Sequence, residues 1–225
     1  MNRSGVWIVL SCAAGVIAPA VLGFAGALGV FSAHRDVGIT PERGSAVYDA
    51  TKKAYRVTGG GANIWSRADA FEFVYKKLSG DASLTADVQF EGKGTEAHRK
   101  AALMFRQSLR ADSAYVDVAV HGDGLTSLQY RPTAGAETLE VRSDVKGPMR
   151  IRIERHTDQF TIWAGAAAQA MRTSGPVTVH LSDPVYAGLA VSSHNAGVLE
   201  TAVFSNVHIG GVEADSGFRN FALLR

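Results

Sequence analysis

KAALMFRQSLRADSAYVDVAVHGDGLTSLQYR, residues 100 to 131, decides the fold, because it reads as three consecutive strands joined by two turns. Its side chains alternate in character at a period of two, as a sheet with one buried face requires. Val116, Val118 and Val120 share one face, whereas Tyr115, Asp117 and His121 share the other with the small Ala119. Gly122-Asp123-Gly124 supplies the positive φ values that a tight hairpin needs.

Outward from this stretch, strand-like runs recur near 53–57, 70–78, 83–90, 101–108, 114–121, 125–131, 137–143, 149–155, 158–164, 177–181, 185–193 and 200–209. Gly, Asp, Asn and Pro separate them, and no helical period is sustained. That pattern predicts an all-β, antiparallel two-sheet sandwich. The Ala-rich segment 164–171 contains Gly165 between two strand runs and is read as a loop or single turn. No repeat recurs at a fixed period, which argues against a propeller or solenoid.

The chain of 225 residues accommodates one sandwich-sized domain after a leader. Its 46% hydrophobic and 20% charged content is that of a folded protein, and a net charge of +2 spread over both signs gives no basic field for nucleic acid. Residues 5–33 carry no charge, follow Arg3 and end at His34-Arg35-Asp36, so 1–33 is expected to be a signal peptide or membrane anchor. Within it, 6–17 forms an apolar stretch, and Ala18-Pro19-Ala20 or Ala25-Gly26-Ala27 offers a small-x-small cleavage site. The domain is therefore expected outside the cytoplasm, periplasmic or secreted, with the membrane touched only through that leader. Cys12 is the single cysteine and lies in the leader, too early for a lipoprotein site, so no disulfide supports the rest. Residues 34–46 read as a polar linker, 47–209 as the domain and 210–225 as a tail.

The segments YDATKKAYRVTGGGANIW (48–65), DAFEFVYKKLSGDASLTADVQF (69–90), HRKAALMFRQSL (98–109), DSAYVDVAVHGDGLTSLQYR (112–131) and ETAVFSNVHI (200–209) resemble a bacterial domain of the concanavalin A-like lectin/glucanase superfamily. They are similar in particular to a domain-of-unknown-function group found alone, at the ends of sugar-active enzymes, and ahead of propellers in Tol-type or biopolymer-transporter chains. The resemblance implies a jelly roll of two curved sheets with a concave face able to receive a ligand, and no settled activity. It also leads one to expect a Gly near Ala102 and an Ile or Leu near Phe105, where this chain carries more bulk. The tail looks like the connector to a propeller, whose functions do not carry over.

Retaining glucanases of the superfamily place acidic residues two or more apart on one strand, so that both carboxyls face one sugar ring about 5 Å apart. This chain has no such string: Glu137 and Glu140 are three apart, and Glu91 and Glu96 flank a Gly-rich turn. A pair assembled across strands, such as Asp117 with Glu154, stays open. Glycines 59–61 precede no helix and so form a turn rather than a phosphate cradle. The seven histidines lack HxH or HExxH spacing, and Ser192-Ser193-His194-Asn195 places neighbours on opposite sides of a strand. No cofactor is expected. A structural Ca²⁺ held by turn residues Asp69, Asp81, Asp123 or Asp183 is the one alternative.

What remains is a ligand-binding surface. Arg106 shares a face with Met104, and its guanidinium either forms a salt bridge within the fold or grips sugar hydroxyls or a carboxylate. On the second reading, Arg106→Ala weakens binding without unfolding the domain. Asp117, His121, Gln129 and Arg131 line up across the adjacent hairpin. Trp65, after the glycine loop, either stacks on a pyranose or is a buried sandwich tryptophan. The expected function is noncatalytic binding of a glycan or other cell-envelope polymer, with glycoside hydrolysis as the alternative and an assembly role at the envelope as the third. The oligomeric state is not legible.

Overall fold

The computed structural model describes residues 27–94, 96–147, 150–166 and 170–212. The strands are β1 (Ala33–Val37), β2 (Ser45–Asp49), β3 (Ala54–Gly59), β4 (Ile64–Trp65), β5 (Ala68–Asp69), β6 (Phe71–Leu78), β7 (Ala82–Phe90) and β8 (Lys100–Arg106). They continue as β9 (Tyr115–His121), β10 (Thr126–Arg131), β11 (Leu139–Arg142), β12 (Arg150–His156), β13 (Gln159–Gly165), β14 (Arg172–Thr178), β15 (Val185–Ser192) and β16 (Glu200–Gly210). One seven-stranded sheet has the order β1-β6-β15-β8-β9-β10-β11, a second has β14-β13-β12-β7-β16-β3-β2, and β4-β5 is a separate hairpin. Every pairing is antiparallel in these sheets. The fold is the all-β antiparallel two-sheet sandwich that the alternation predicts, consistent with the jelly roll that the resemblance implies.

The valines of the deciding stretch do what their period requires. Val116, Val118 and Val120 join Leu103, Phe105 and Leu128 in a core shared with Leu84, Ile151, Ile153, Phe160 and Phe204 of the second sheet. The observed departure lies on the opposite face. All seven residues of β8 and all seven of β9 are buried, so the outer side of the first sheet is also covered. A second apolar cluster sits there, built from Phe71, Phe73, Ala102, Met104, Tyr115, Ala119 and Ala190, with Ile64 of the β4-β5 hairpin. The trough expected to be open is filled across its middle.

Three further expectations are corrected. The stretch 34–46 is not a linker: most of β1 and the start of β2 lie within it, and β1 pairs along β6 from Ala33↔Tyr75 to Val37↔Phe71. Its polar run disguises an edge strand, where charged side chains face water and block further strand pairing. Phe31, which the sequence reading put in the leader, is buried in the fold, with its ring 5.2 Å from that of Tyr55. The strand expected at 177–181 instead runs Arg172–Thr178 at the far edge of the second sheet, with a bulge against β13. Gly175 and Pro176 there read as turn punctuation, yet an edge strand tolerates both. Residues 167–169 of the Ala-rich segment, and residues 1–26 and 213–225, fall outside the described residues. Among the described residues no helix is long and apolar enough to cross a membrane.

Candidate functional site

Strand register sets the polar residues of the outer face in rows. Glu140, Gln129, Asp117, Met104 and Gly188 stand opposite one another across β11, β10, β9, β8 and β15. Arg131, Tyr115 and Arg106 form a second row, and His121 with Lys100 a third. Because neighbouring strands lie about 4.8 Å apart, side chains within a row reach one another readily. The β4-β5 hairpin then decides which of them meet solvent.

Asp69 of that hairpin is the anchor. Arg131 grips it with both terminal nitrogens, Nη2 to Oδ1 at 2.6 Å and Nη1 to Oδ2 at 2.9 Å, while Arg106 Nη1 donates to Oδ2 at 3.3 Å. All three side chains have zero exposure. Every other arginine donor is used internally: Arg106 reaches the carbonyls of Ser108 and Arg110 at 2.6 Å each, and Arg131 those of Ser66 and Ala136. Two guanidiniums around one carboxylate leave a buried excess positive charge, softened by the rings beneath. The Arg106 guanidinium lies 5.1 Å from the Phe71 ring and that of Arg131 5.0 Å from Tyr115. Arg106 and Arg131 therefore fasten the hairpin and present no donor to a ligand.

The remaining candidates gather at one end of the face, where the hairpin stops. A cleft of about 210 Å³ is walled there by Trp65 and Asn63 of the hairpin segment, Lys100, His121 and Gln129 of the sheet, and Glu140 and Arg142 of β11. His98, Leu125 and His194 complete the rim. This volume is below the roughly 300 Å³ at which drug-sized pockets begin, so it suits one ring of a longer chain.

The electrostatics of the cleft follow from burial. His121 Nδ1 donates to the Leu125 carbonyl at 3.0 Å, which leaves Nε2 as an acceptor 3.5 Å from Gln129 Nε2. Burial, with the Lys100 charge adding to it, lowers the His121 pKa to about 4, so the ring is neutral at pH 7. Lys100 Nζ donates to Asn63 Oδ1 at 2.8 Å and to the Ile64 carbonyl at 2.7 Å, and lies 5.2 Å from the centre of the Trp65 ring. Burial lowers its pKa to about 8. Asp117 lies fully buried beneath, with neither oxygen hydrogen-bonded, and desolvation raises its pKa well above the carboxylate range. The Gln129 Oε1 and His194 Nδ1 atoms are likewise buried without partners. Glu140, the one carboxylate on the wall, takes Arg142 Nε at 2.8 Å and Gln129 Nε2 at 3.3 Å.

Sequence reasoning missed His98 and took His194 for a turn residue rather than a ligand contact. Their rings stand 5.5 Å apart, and His98 is 5.9 Å from His121, although the three are far apart along the chain. The one local signal is the backbone of His194, at φ +60° in the left-handed region. Among the described residues no group of three or more His, Cys, Asp or Glu is arranged to hold a metal. The four aspartates considered for Ca²⁺ are engaged: Asp69 as above, Asp81 by Thr157 N, Asp123 by Leu125 N, and Asp183 by Gly80 N and Arg155.

No family model and no curated protein matches the chain. Solved structures do match by fold. A functionally unknown protein from Saccharomyces cerevisiae aligns with TM-score 0.57 and 13% identity over 74% of this chain and 91% of its own. The carbohydrate-binding module CBM66 from Bacillus subtilis aligns with TM-score 0.51 and 16% identity over 81% and 98%. Lectin II from Ulex europaeus aligns with TM-score 0.51 and 9% identity over 80% and 98%. At these identities the likeness is one of fold. The chain shares the two-sheet β-sandwich fold of these lectin and carbohydrate-binding module structures.

Proposed function

We propose that this is a noncatalytic, exported sugar-binding domain that takes a single ring of an envelope or extracellular glycan into the cleft beside Trp65. The observation that carries it is the convergence, at the one opening beside the hairpin, of a part-exposed tryptophan with buried hydrogen-bonding groups that lack partners. A flat indole stacks on the apolar face of a pyranose, and a polyhydroxylated ring brings the donors that Gln129 Oε1 and His194 Nδ1 require. The lectin and carbohydrate-binding neighbours agree with this reading at the level of fold. Hydrolysis would need two accessible carboxyls flanking the sugar. The cleft wall holds Glu140 alone, with Arg142 and Gln129 on it, and Asp117 is sealed below.

Export rests on the uncharged leader. Cleavage after Ala27 would keep Phe31 and β1, both of which belong to the fold.

A glycan array probed with the protein tests the reading, followed by titration of the best ligand against Trp65→Ala. The variant is expected to lose at least about tenfold in affinity, the scale of one lost stacking contact of about 1.4 kcal/mol, while its Tm stays within a few degrees. Undiminished affinity would remove Trp65 from the site.

A further inference from the structure

Lys100 is the unusual group of the cleft. It is 2% exposed, and its ammonium meets only neutral acceptors, the Asn63 side-chain oxygen and the Ile64 carbonyl. An ammonium has three N–H donors, so one remains for a ligand. Among the described residues no carboxylate lies within ion-pair distance of it. Asp117 is the carboxylate that acts most on Lys100, and each influences the other, but it makes no ion pair with the ammonium and its burial outweighs the Lys100 charge in raising its pKa. Glu140 is occupied by Arg142 and Gln129. His121 is neutral, so it neither cancels nor adds to the charge.

A buried charge without a counter-ion is costly, and a fold retains one where a ligand supplies the partner. We propose that the sugar taken by this cleft is anionic, with its acidic substituent seated on Lys100 Nζ while the ring stacks on Trp65. The geometry fits, because Nζ lies 5.2 Å from the centre of the Trp65 ring, so a ring resting on the indole brings a substituent within reach of the ammonium. The same Trp65 face that contacts the ligand also shields the pair from water, which strengthens a charge-assisted hydrogen bond. A carboxylate of a uronic acid and a sulfate ester offer the same chemistry. This inference rests on the sugar-binding reading and narrows its ligand class.

The test is calorimetric titration of the protein with four probes: a galacturonate trisaccharide, its methyl ester, the neutral galactose trisaccharide and a sulfated galactose trisaccharide. At least one anionic probe is expected to bind tenfold or more tightly than both neutral ones, and which one does so assigns carboxylate or sulfate. Lys100→Met should bring the anionic probe down to the affinity that the unaltered protein shows for the neutral ones, with far-UV circular dichroism checking that the variant folds. Lys100→Arg, which keeps the charge, should restore part of the preference. Equal affinity for charged and neutral probes, or a preference that survives Lys100→Met, overturns the anionic inference and leaves sugar binding standing. Binding of none of the four, with none on the glycan array, overturns both.

Discussion

Asp69→Ala is expected to destabilise the protein by about 3 to 5 kcal/mol, the cost of leaving buried guanidiniums without their counter-ion. At roughly 2 to 4 °C per kcal/mol for a domain of this size, the melting temperature should fall by about 6 to 20 °C. The reason is specific to the site: Arg106, Arg131 and Asp69 are each inaccessible to solvent, and among the described residues Asp69 is the carboxylate paired with both arginines. Arg106→Ala should also destabilise, by less, since Arg131 keeps its two-pronged contact with Asp69. That reverses the expectation, reasonable from the sequence, that losing Arg106 weakens binding and spares stability. Thermal denaturation of the two variants checks it. A melting temperature unchanged in Asp69→Ala would mean that the hairpin is not fastened through this carboxylate. Since the same hairpin carries Trp65 and Asn63, Asp69→Ala should weaken sugar binding as well, indirectly.

The second large effect is expected at the opposite side of the first sheet and depends on pH. Glu72 on β6 is fully buried, its Oε2 has no partner, and its Oε1 lies 2.5 Å from His34 Nδ1. Asp36 of β1 stands directly opposite it in the register. Burial first, and the Asp36 charge second, push the Glu72 pKa up from 4.5 to about 8. The folded protein thus keeps a proton that the unfolded chain releases above its ordinary pKa. Stability is therefore full below about pH 4.5 and declines as pH rises toward 8, by an amount on the order of 3 kcal/mol at pH 7. Glu72→Gln holds the neutral shape without the ionisation. It should leave the melting temperature near pH 4 almost unchanged and raise it by several degrees at pH 8. A drop at pH 8 would instead show that Glu72 is ionised there and held by His34.

These two cases mark where sequence reasoning stops. The alternation Val116, Val118, Val120 against Tyr115, Asp117, His121 was enough to assign strands, faces and the sandwich, because burial of one face imposes a period of two. The hairpin 122–125 was equally legible, since Gly124 takes φ +86°, which few other residues tolerate. The short pair β4 and β5 left no such trace. Two residues cannot display a period, and nothing local distinguishes Ile64-Trp65 and Ala68-Asp69 from a loop.

The same limit governs the candidate site. Of the six residues singled out, Trp65, His121 and Gln129 line the cleft, Asp117 lies beneath it, and Arg106 and Arg131 are consumed by Asp69. Parity placed five of them on one face but says nothing about what covers that face. Lys100 at the start of β8 and His98 just before it meet His194, which follows β15, because β8 pairs with β15 and β9.

The amino-acid order by itself determined that this chain is a two-sheet sandwich and which side of each central strand is polar, since those properties follow from nearest neighbours in a strand. Tertiary structure alone decided that the polar side is roofed, that two arginines serve one aspartate, and that a small cleft holding Lys100 stays open beside the hairpin. Such outcomes depend on contacts between residues about 30 to 70 positions apart, such as Asp69 with Arg106 and Arg131 or Lys100 with Ile64, whose |i−j| values are 37, 62 and 36. No local pattern encodes a contact at that separation.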